Sequence, residues 1–345
     1  MKKVISCLLF ITLLFLCDYS KANDAEGSGH DVGFSIGPNF ALTDLGGANK
    51  IGSPFLRDVD FKATRYCISA FYRYNVNKIF AVRANLMYGM LKADDRNTDG
   101  RPPAPGQSPD DSWFRARRNL NFETHMFEFQ AIGEVNLKKY IHNEAKGSKE
   151  RWAPYLGAGL GFFYFNPYTY EQDAAGNKIG SKIKLRPLGT EGQTIGYKKM
   201  YSNFQFDLMA LLGIKYNVTE LFSIALEGVY HQTFTDYLDD VSGSYVNPQD
   251  VSSMSPIAQV LQNRVNTGRY PQNEHNYVEG QKDVTTGNLK PIGIGQQRGD
   301  KKDNDQFFHV QLTFSFSLGA TGKRLGFGSC GKRNPYHHKF ACPKW

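Results

Sequence analysis

Apolar and polar side chains alternate along much of this chain. Residues on one side of a strand recur at every second position, so a sheet with an oily and a polar face shows a period of two. Phe308, Val310, Leu312, Phe314, Phe316 and Leu318 share one face, with His309, Gln311, Thr313, Ser315 and Ser317 between them. Phe204, Phe206, Leu208, Ala210, Leu212, Ile214 and Tyr216 repeat the pattern against Gln205, Asp207 and Lys215. Four further stretches alternate in the same way, around residues 66–74, 80–90, 127–137 and 222–231. Two more, around 32–36 and 155–165, carry glycines on much of one face; Gly157, Gly159 and Gly161 align where larger neighbours are expected to fill the space. Eight strands are predicted, and no long helical pattern competes with them.

The connections support a particular closure. Residues 75–78 and 217–220 form short links, and 138–152 a moderate basic one. The links at 41–62, 91–119, 166–201 and 233–305 are longer. Shorter and longer links alternate, as they do between the periplasmic turns and external loops of bacterial outer-membrane barrels. A soluble sandwich has no reason to segregate its loops this way. The predicted fold is all-β: an eight-stranded antiparallel transmembrane barrel of the small outer-membrane type with long extracellular loops. An even strand number puts both termini in the periplasm, and outer-membrane lipid is the first expected partner.

Composition adjusts this picture at the ends. Residues 1–22 read as a secretory signal, with Lys2 and Lys3 ahead of an apolar run too short to be a good transmembrane helix. Phe15 and Leu16 are too bulky for a lipid-attachment site at Cys17, so cleavage after Ala22 is expected. The barrel then occupies 23–318, followed by a basic periplasmic tail over 319–345. The net charge of +8 forms no basic stripe with interleaved aromatics, and secretion argues against nucleic acid. The 25 Phe and 19 Tyr suit a membrane-embedded surface once arranged at every second position. Of the five cysteines, two leave with the signal, Cys67 stands alone, and Cys330 and Cys342 are placed to pair in an oxidising periplasm.

Period two puts Arg65, Arg73, Arg83 and Lys215 inside the barrel with Glu128, Glu134, Asp207 and Glu227. An eight-stranded interior is only wide enough for side chains, so these charges are expected to pair as a structural plug. An ion-selective pore would favour an excess of one sign and a wider cylinder.

His231, Asp236 and Ser242 imitate a base, its orienting carboxylate and a nucleophile, but such residues are ordinary at a barrel rim, and no enzyme is expected. Asp236, Asp239 and Asp240 lack the alternating ligands and Gly of a calcium loop and read as a loop anchor. Arg298, in the run Gly295 to Asp300, is expected to hold a carboxylate of Asp239 or Asp240 bidentately and so close the base of the last long loop. His337 and His338 lack further partners at useful spacing, so no metal or cofactor is expected.

Several stretches resemble a known family. They are Phe71 to Asn75, Arg83 to Leu86, Pro154 to Gly159, and Arg186-Pro187-Leu188-Gly189-Thr190-Glu191-Gly192. More specific are Thr235-Asp236-Tyr237-Leu238-Asp239-Asp240-Val241-Ser242 and Gly295-Gln296-Gln297-Arg298-Gly299. Together they are similar to the PorG-type outer-membrane proteins of Bacteroidetes, which are associated with the type IX secretion system. The resemblance implies a non-catalytic accessory barrel working beside periplasmic ring lipoprotein and anchor subunits. A general small barrel for envelope stability or adhesion is the other reading of the same sequence.

Overall fold

The computed structural model describes residues 29–46, 60–98, 115–116, 118–137, 151–172, 178–219, 221–247, 249–264, 277–282, 289–291 and 298–318. The signal, the tail with Cys330 and Cys342, and most of the basic link lie outside the described residues.

The alternating stretches become long strands: β1 (Gly29–Leu42), β2 (Arg65–Asn75), β3 (Phe80–Asp94), β4 (Asn121–Asn136) and β5 (Trp152–Phe165). They are joined by β8 (Phe204–Asn217), β9 (Phe222–Thr233) and β12 (Gln306–Ser317). Each pairs antiparallel with its neighbour, and the ring closes where β3 meets β4, with Leu86 opposite Phe129. Closure removes every free edge from these eight strands, which an apolar environment requires of backbone N–H and C=O groups.

The inside–outside assignment follows the sequence pattern. On β12, Leu312 is 47% exposed while the adjoining Gln311 and Thr313 are almost fully buried. Every strand of the ring contributes at least one large apolar side chain to the outer surface: Phe34, Ile68, Leu86, Phe129, Leu160, Leu212, Leu226 and Leu312. In water such a continuous band would be costly, at about 25 cal/mol per Å² of apolar surface. The glycines of β5 do admit larger neighbours, as expected: Ile132 and Leu211 fill the space beside Gly157.

Four short strands lie outside the ring. β6 (Tyr168–Gln172) and β7 (Lys178–Lys184) form a hairpin that extends the sheet from β4, with Glu123 opposite Tyr168. β10 (Tyr277–Lys282) and β11 (Leu289–Pro291) pair with each other. A seven-residue helix, α1 (Pro256–Gln262), is capped by Ser255, whose hydroxyl accepts from the Ala258 N–H. In the sequence these segments fall within the long links, with no strand or helix pattern of their own. The β6–β7 hairpin uses the edge of β4 above the point where β5 departs, and no local periodicity announces a neighbour of that kind.

The described parts of the long connections gather at one end of the cylinder. There Phe122, Met126, Phe163 and Phe307 of the strands pack with Leu45, Leu185, Leu238, Val241 and Leu261 of the loops in one buried apolar cluster. The mouth at the long-loop end is therefore filled by side chains.

Candidate functional site: a two-tier lumen beneath a loop clasp

The lumen carries charge at two levels. Nearer the short turns, Arg73 and Arg83 stand opposite each other on β2 and β3 and are each only 1% exposed. Arg73 Nε lies 2.8 Å from Glu134 Oε2, and Arg83 Nε lies 3.0 Å from Glu134 Oε1. Arg83 Nη1 reaches Glu227 Oε1 at 2.8 Å, and Gln311 Nε2 donates to Glu227 Oε2 at 2.7 Å. The Tyr155 hydroxyl also donates to Glu227. Both guanidinium groups lie just over 5 Å from the centre of the Phe71 ring, within cation–π range. Asp31 adds a third carboxylate, 3.7 Å from Arg73. Carboxylates face both guanidinium groups from more than one side, as buried ions require.

Two expected members do not join the ion pairs of this tier. Arg65 sits near the upper rim and pairs with Glu123 at 3.4 Å, its side chain 26% exposed. It begins β2 at the long-loop end, so it shares the inward face of Arg73 but stands higher along the cylinder. Lys215 makes no ion pair among the described residues; its ammonium lies 5.6 Å from the Tyr155 ring centre. Tyr155 fits inside because the facing residue is Gly213, where a Cβ would lie 2.5 Å from the tyrosine ring.

Glu128 and Asp207 form the upper tier, which the arginines do not reach. His231 Nδ1 lies 2.5 Å from Asp207 Oδ2 and 3.4 Å from Glu128 Oε1. Phe307 stacks on the His231 ring at 4.0 Å, and the His309 ring lies 5.1 Å away. The expected single balanced plug is thus two separate clusters, because charges sharing an inward face still differ in height along the cylinder. His231 makes no hydrogen bond with Asp236 or Ser242 and is turned into the lumen, so these three do not assemble as a triad.

Above the lumen, three distant segments meet in a clasp. Arg298 Nη1 lies 3.1 Å from Glu191 Oε1 and donates to the Asp240 carbonyl at 2.8 Å; its Nε donates to the Gln262 carbonyl at 3.2 Å. Glu191 Oε1 also accepts the Ser242 and Gly243 N–H groups, at 2.9 and 3.1 Å. Arg298 does close the loop base, but its carboxylate partner is Glu191 and not Asp239 or Asp240. The Asp240 carboxylate is taken by the Thr190 and Tyr201 hydroxyls at 2.5 and 2.7 Å. Asp239 accepts the Leu45 and Val241 N–H groups, tying the first long loop to the last. Asp95 and Arg118 extend the clasp: Arg118 is paired with Asp95 at 2.8 Å and donates to the Arg298 carbonyl. Glu191, Asp95 and Arg118 were not singled out in the sequence. Only Glu191 had a signal, its place in the Arg186–Gly192 stretch.

Four carboxyls crowd beneath this clasp: Asp44, Asp236, Asp239 and Asp305. Burial, reinforced by the neighbouring carboxyls, pushes Asp236 and Asp239 up to about 8 and Asp305 well above its ordinary value. Each raised group binds its proton more tightly folded than unfolded. Its stabilising effect is therefore complete below about pH 4 and is lost as pH rises through about 8. Glu191 has the opposite sign: burial raises it, but Arg298 and Lys198 outweigh that and hold it below the usual carboxylate range. The loop cap should accordingly become more open to protease between pH 5 and pH 9, while the strands stay protected. Equal cleavage rates across that range, after correction for the protease's own pH profile, would contradict this.

The outer surface completes the site's surroundings. Near the short turns, Trp152 packs on Tyr216 at 4.7 Å and His30 on Tyr74 at 5.2 Å. Near the long loops, Tyr88 packs on Phe127 at 5.0 Å and Tyr164 on Phe204 at 5.2 Å. Two aromatic girdles thus flank the apolar band, as at the two interfaces of a bilayer. The chain is an outer-membrane β-barrel.

No family model matches the barrel, and no curated protein matches it in sequence. Among solved structures it is similar to the neisserial surface protein A, at 11% identity over 84% of this chain and 99% of that one, with a TM-score of 0.34. It is also similar to Ail, the attachment invasion locus protein of Yersinia pestis, solved with the heparin analogue sucrose octasulfate. There the identity is 8% over 84% of this chain and 97% of that one, with a TM-score of 0.31. The outer membrane protein OprG of Pseudomonas aeruginosa gives 10% identity, 85% and 97% coverage, and a TM-score of 0.29.

Proposed function

We propose that this barrel is a non-catalytic component of a type IX protein secretion system, serving as an assembly and anchoring partner of periplasmic ring subunits. In this reading the short turns and both termini face the periplasm and the long loops face outward. One observation carries the proposal. The three loop segments that resemble PorG-type proteins, Arg186–Gly192, Thr235–Ser242 and the run ending at Arg298-Gly299, meet through Glu191, Asp240 and Arg298. Sequence likeness scattered over some 110 residues, its more specific parts around Asp240 and Arg298, thus falls on a single tertiary contact. In this reading the basic link over 138–152 and the basic tail over 319–345 offer such a partner positive charge.

Co-purification from mild detergent tests this. Ring lipoprotein and anchor subunits should accompany the barrel, and deletion of its gene should reduce release of type IX cargo. Recovery of the barrel alone, with cargo release intact, favours the second reading, a small barrel for envelope stability or adhesion. The rigid loop platform built by the clasp is the observation on that side.

Neither reading involves transport through the barrel. With the mouth filled by the apolar cluster and the lumen crossed by ion pairs, planar-bilayer recordings should show no steady large conductance. A persistent, uniform channel from the folded protein would refute the plugged interior.

A further inference from the structure

In the lower tier of the lumen every carboxylate has an arginine beside it, and in the upper tier neither does. Glu128, Asp207 and His231 are 3%, 0% and 0% exposed. Each offers one ligand atom, and the three atoms lie within 4.8 Å of one another. Oδ1 of Asp207 has no hydrogen bond, and Glu128 Oε1 has only the 3.4 Å approach of His231, in a setting where a poorly partnered carboxylate oxygen is costly. Among the described residues, no arginine or lysine pairs with either carboxylate. With both acids ionised, even a protonated His231 would leave one negative charge uncompensated.

The backbone makes room for this arrangement. Gly161 of β5 lies between β4 and β8, paired with Gln130 on one side and Asp207 on the other. A Cβ placed there would lie 1.9 Å from Asp207 Oδ1 and 2.3 Å from Glu128 Oε1. Two poorly partnered oxygens therefore point into the same space, over the one residue type that leaves it open.

We propose that Glu128, Asp207 and His231 form a binding site for a single divalent transition-metal ion inside the barrel. The imidazole favours zinc, iron(II), manganese(II) or cobalt(II) over calcium or magnesium, which prefer an all-oxygen shell. Ligands about 2.0–2.1 Å from a tetrahedral ion stand roughly 3.3 Å apart. The 3.4 Å between His231 Nδ1 and Glu128 Oε1 already matches. The 2.5 Å contact between His231 and Asp207 Oδ2 opens to that spacing by rotation of the carboxylate, which presents Oδ1. A double positive charge would neutralise both acids and cross-link β4, β8 and β9. The site is structural, and it stands whether or not the barrel serves secretion.

The test uses the full chain refolded from urea into detergent with Co²⁺, then desalted. Heat-modifiable migration on gels confirms that the barrel has folded. One Co²⁺ per folded chain is expected, with the visible absorption of nitrogen–oxygen coordination, and Zn²⁺ should displace it. His231→Gln and Glu128→Gln should each lose the retained ion and the absorption band. Folded wild-type protein that keeps no Co²⁺ overturns the proposal. So does equal retention in His231→Gln, the result expected if His337 and His338 of the tail bind the ion instead. Should His231→Gln not fold, the near-isosteric Asp207→Asn carries the same comparison.

Discussion

Replacing Glu227 by alanine is expected to destabilise the folded barrel by about 3–5 kcal/mol, the range for removing one partner of a buried ion pair. The loss is not confined to one bond. Glu227 accepts from Arg83, Gln311 and Tyr155 together, and all three side chains stay buried after the carboxylate is gone. Arg83 would keep Glu134 at 3.0 Å, but Arg73 already uses that carboxylate at 2.8 Å. Two guanidinium groups would then share Glu134, with only the longer 3.7 Å contact of Arg73 to Asp31 besides. Arg65→Ala is the informative contrast, because its pair with Glu123 is longer and partly solvated. Such a pair is worth roughly 0–1 kcal/mol. Urea titration in detergent, followed by heat-modifiable migration, measures both. If Glu227→Ala unfolds within about 1 kcal/mol of the wild type, the lower tier does not hold the strands together.

The second large effect is local. Arg298→Ala is expected to release the loops while leaving the cylinder intact, because the clasp lies above the strands and elements of a fold can open separately. The guanidinium holds the Glu191 carboxylate and two backbone carbonyls of otherwise distant segments, those of Asp240 and Gln262. Losing a buried, hydrogen-bonded charge of this kind costs about 3–5 kcal/mol locally, enough to raise the open population more than a hundredfold. Protease should then cut within residues 166–201 and 233–305, with heat-modifiable migration unchanged. Exchanging the charges, Arg298→Glu with Glu191→Arg, should fail to restore protection. Glu191 also accepts two backbone N–H groups, and an arginine there would leave both without an acceptor. Full rescue by the exchange would show that the contact is Coulombic alone.

Alternation along the chain determined much of this protein before any tertiary contact was known. With a strand period of two, Leu312 and Gln311 must face opposite ways, and no packing detail alters that. The same arithmetic placed Arg73, Arg83, Glu134 and Glu227 inside, and the lengths of the links separated a short-turn end from a long-loop end. What period two does not carry is height along the cylinder or the partner across it. Strand stagger decides both, and it left Arg65 at the rim and divided one expected plug into an arginine tier and a histidine tier. The clasp was legible only in part: Arg298 and its task showed in the sequence, whereas Glu191 as its partner did not. Those two residues are 107 positions apart, and only the folding of two loops over a closed ring brings them within hydrogen-bond distance.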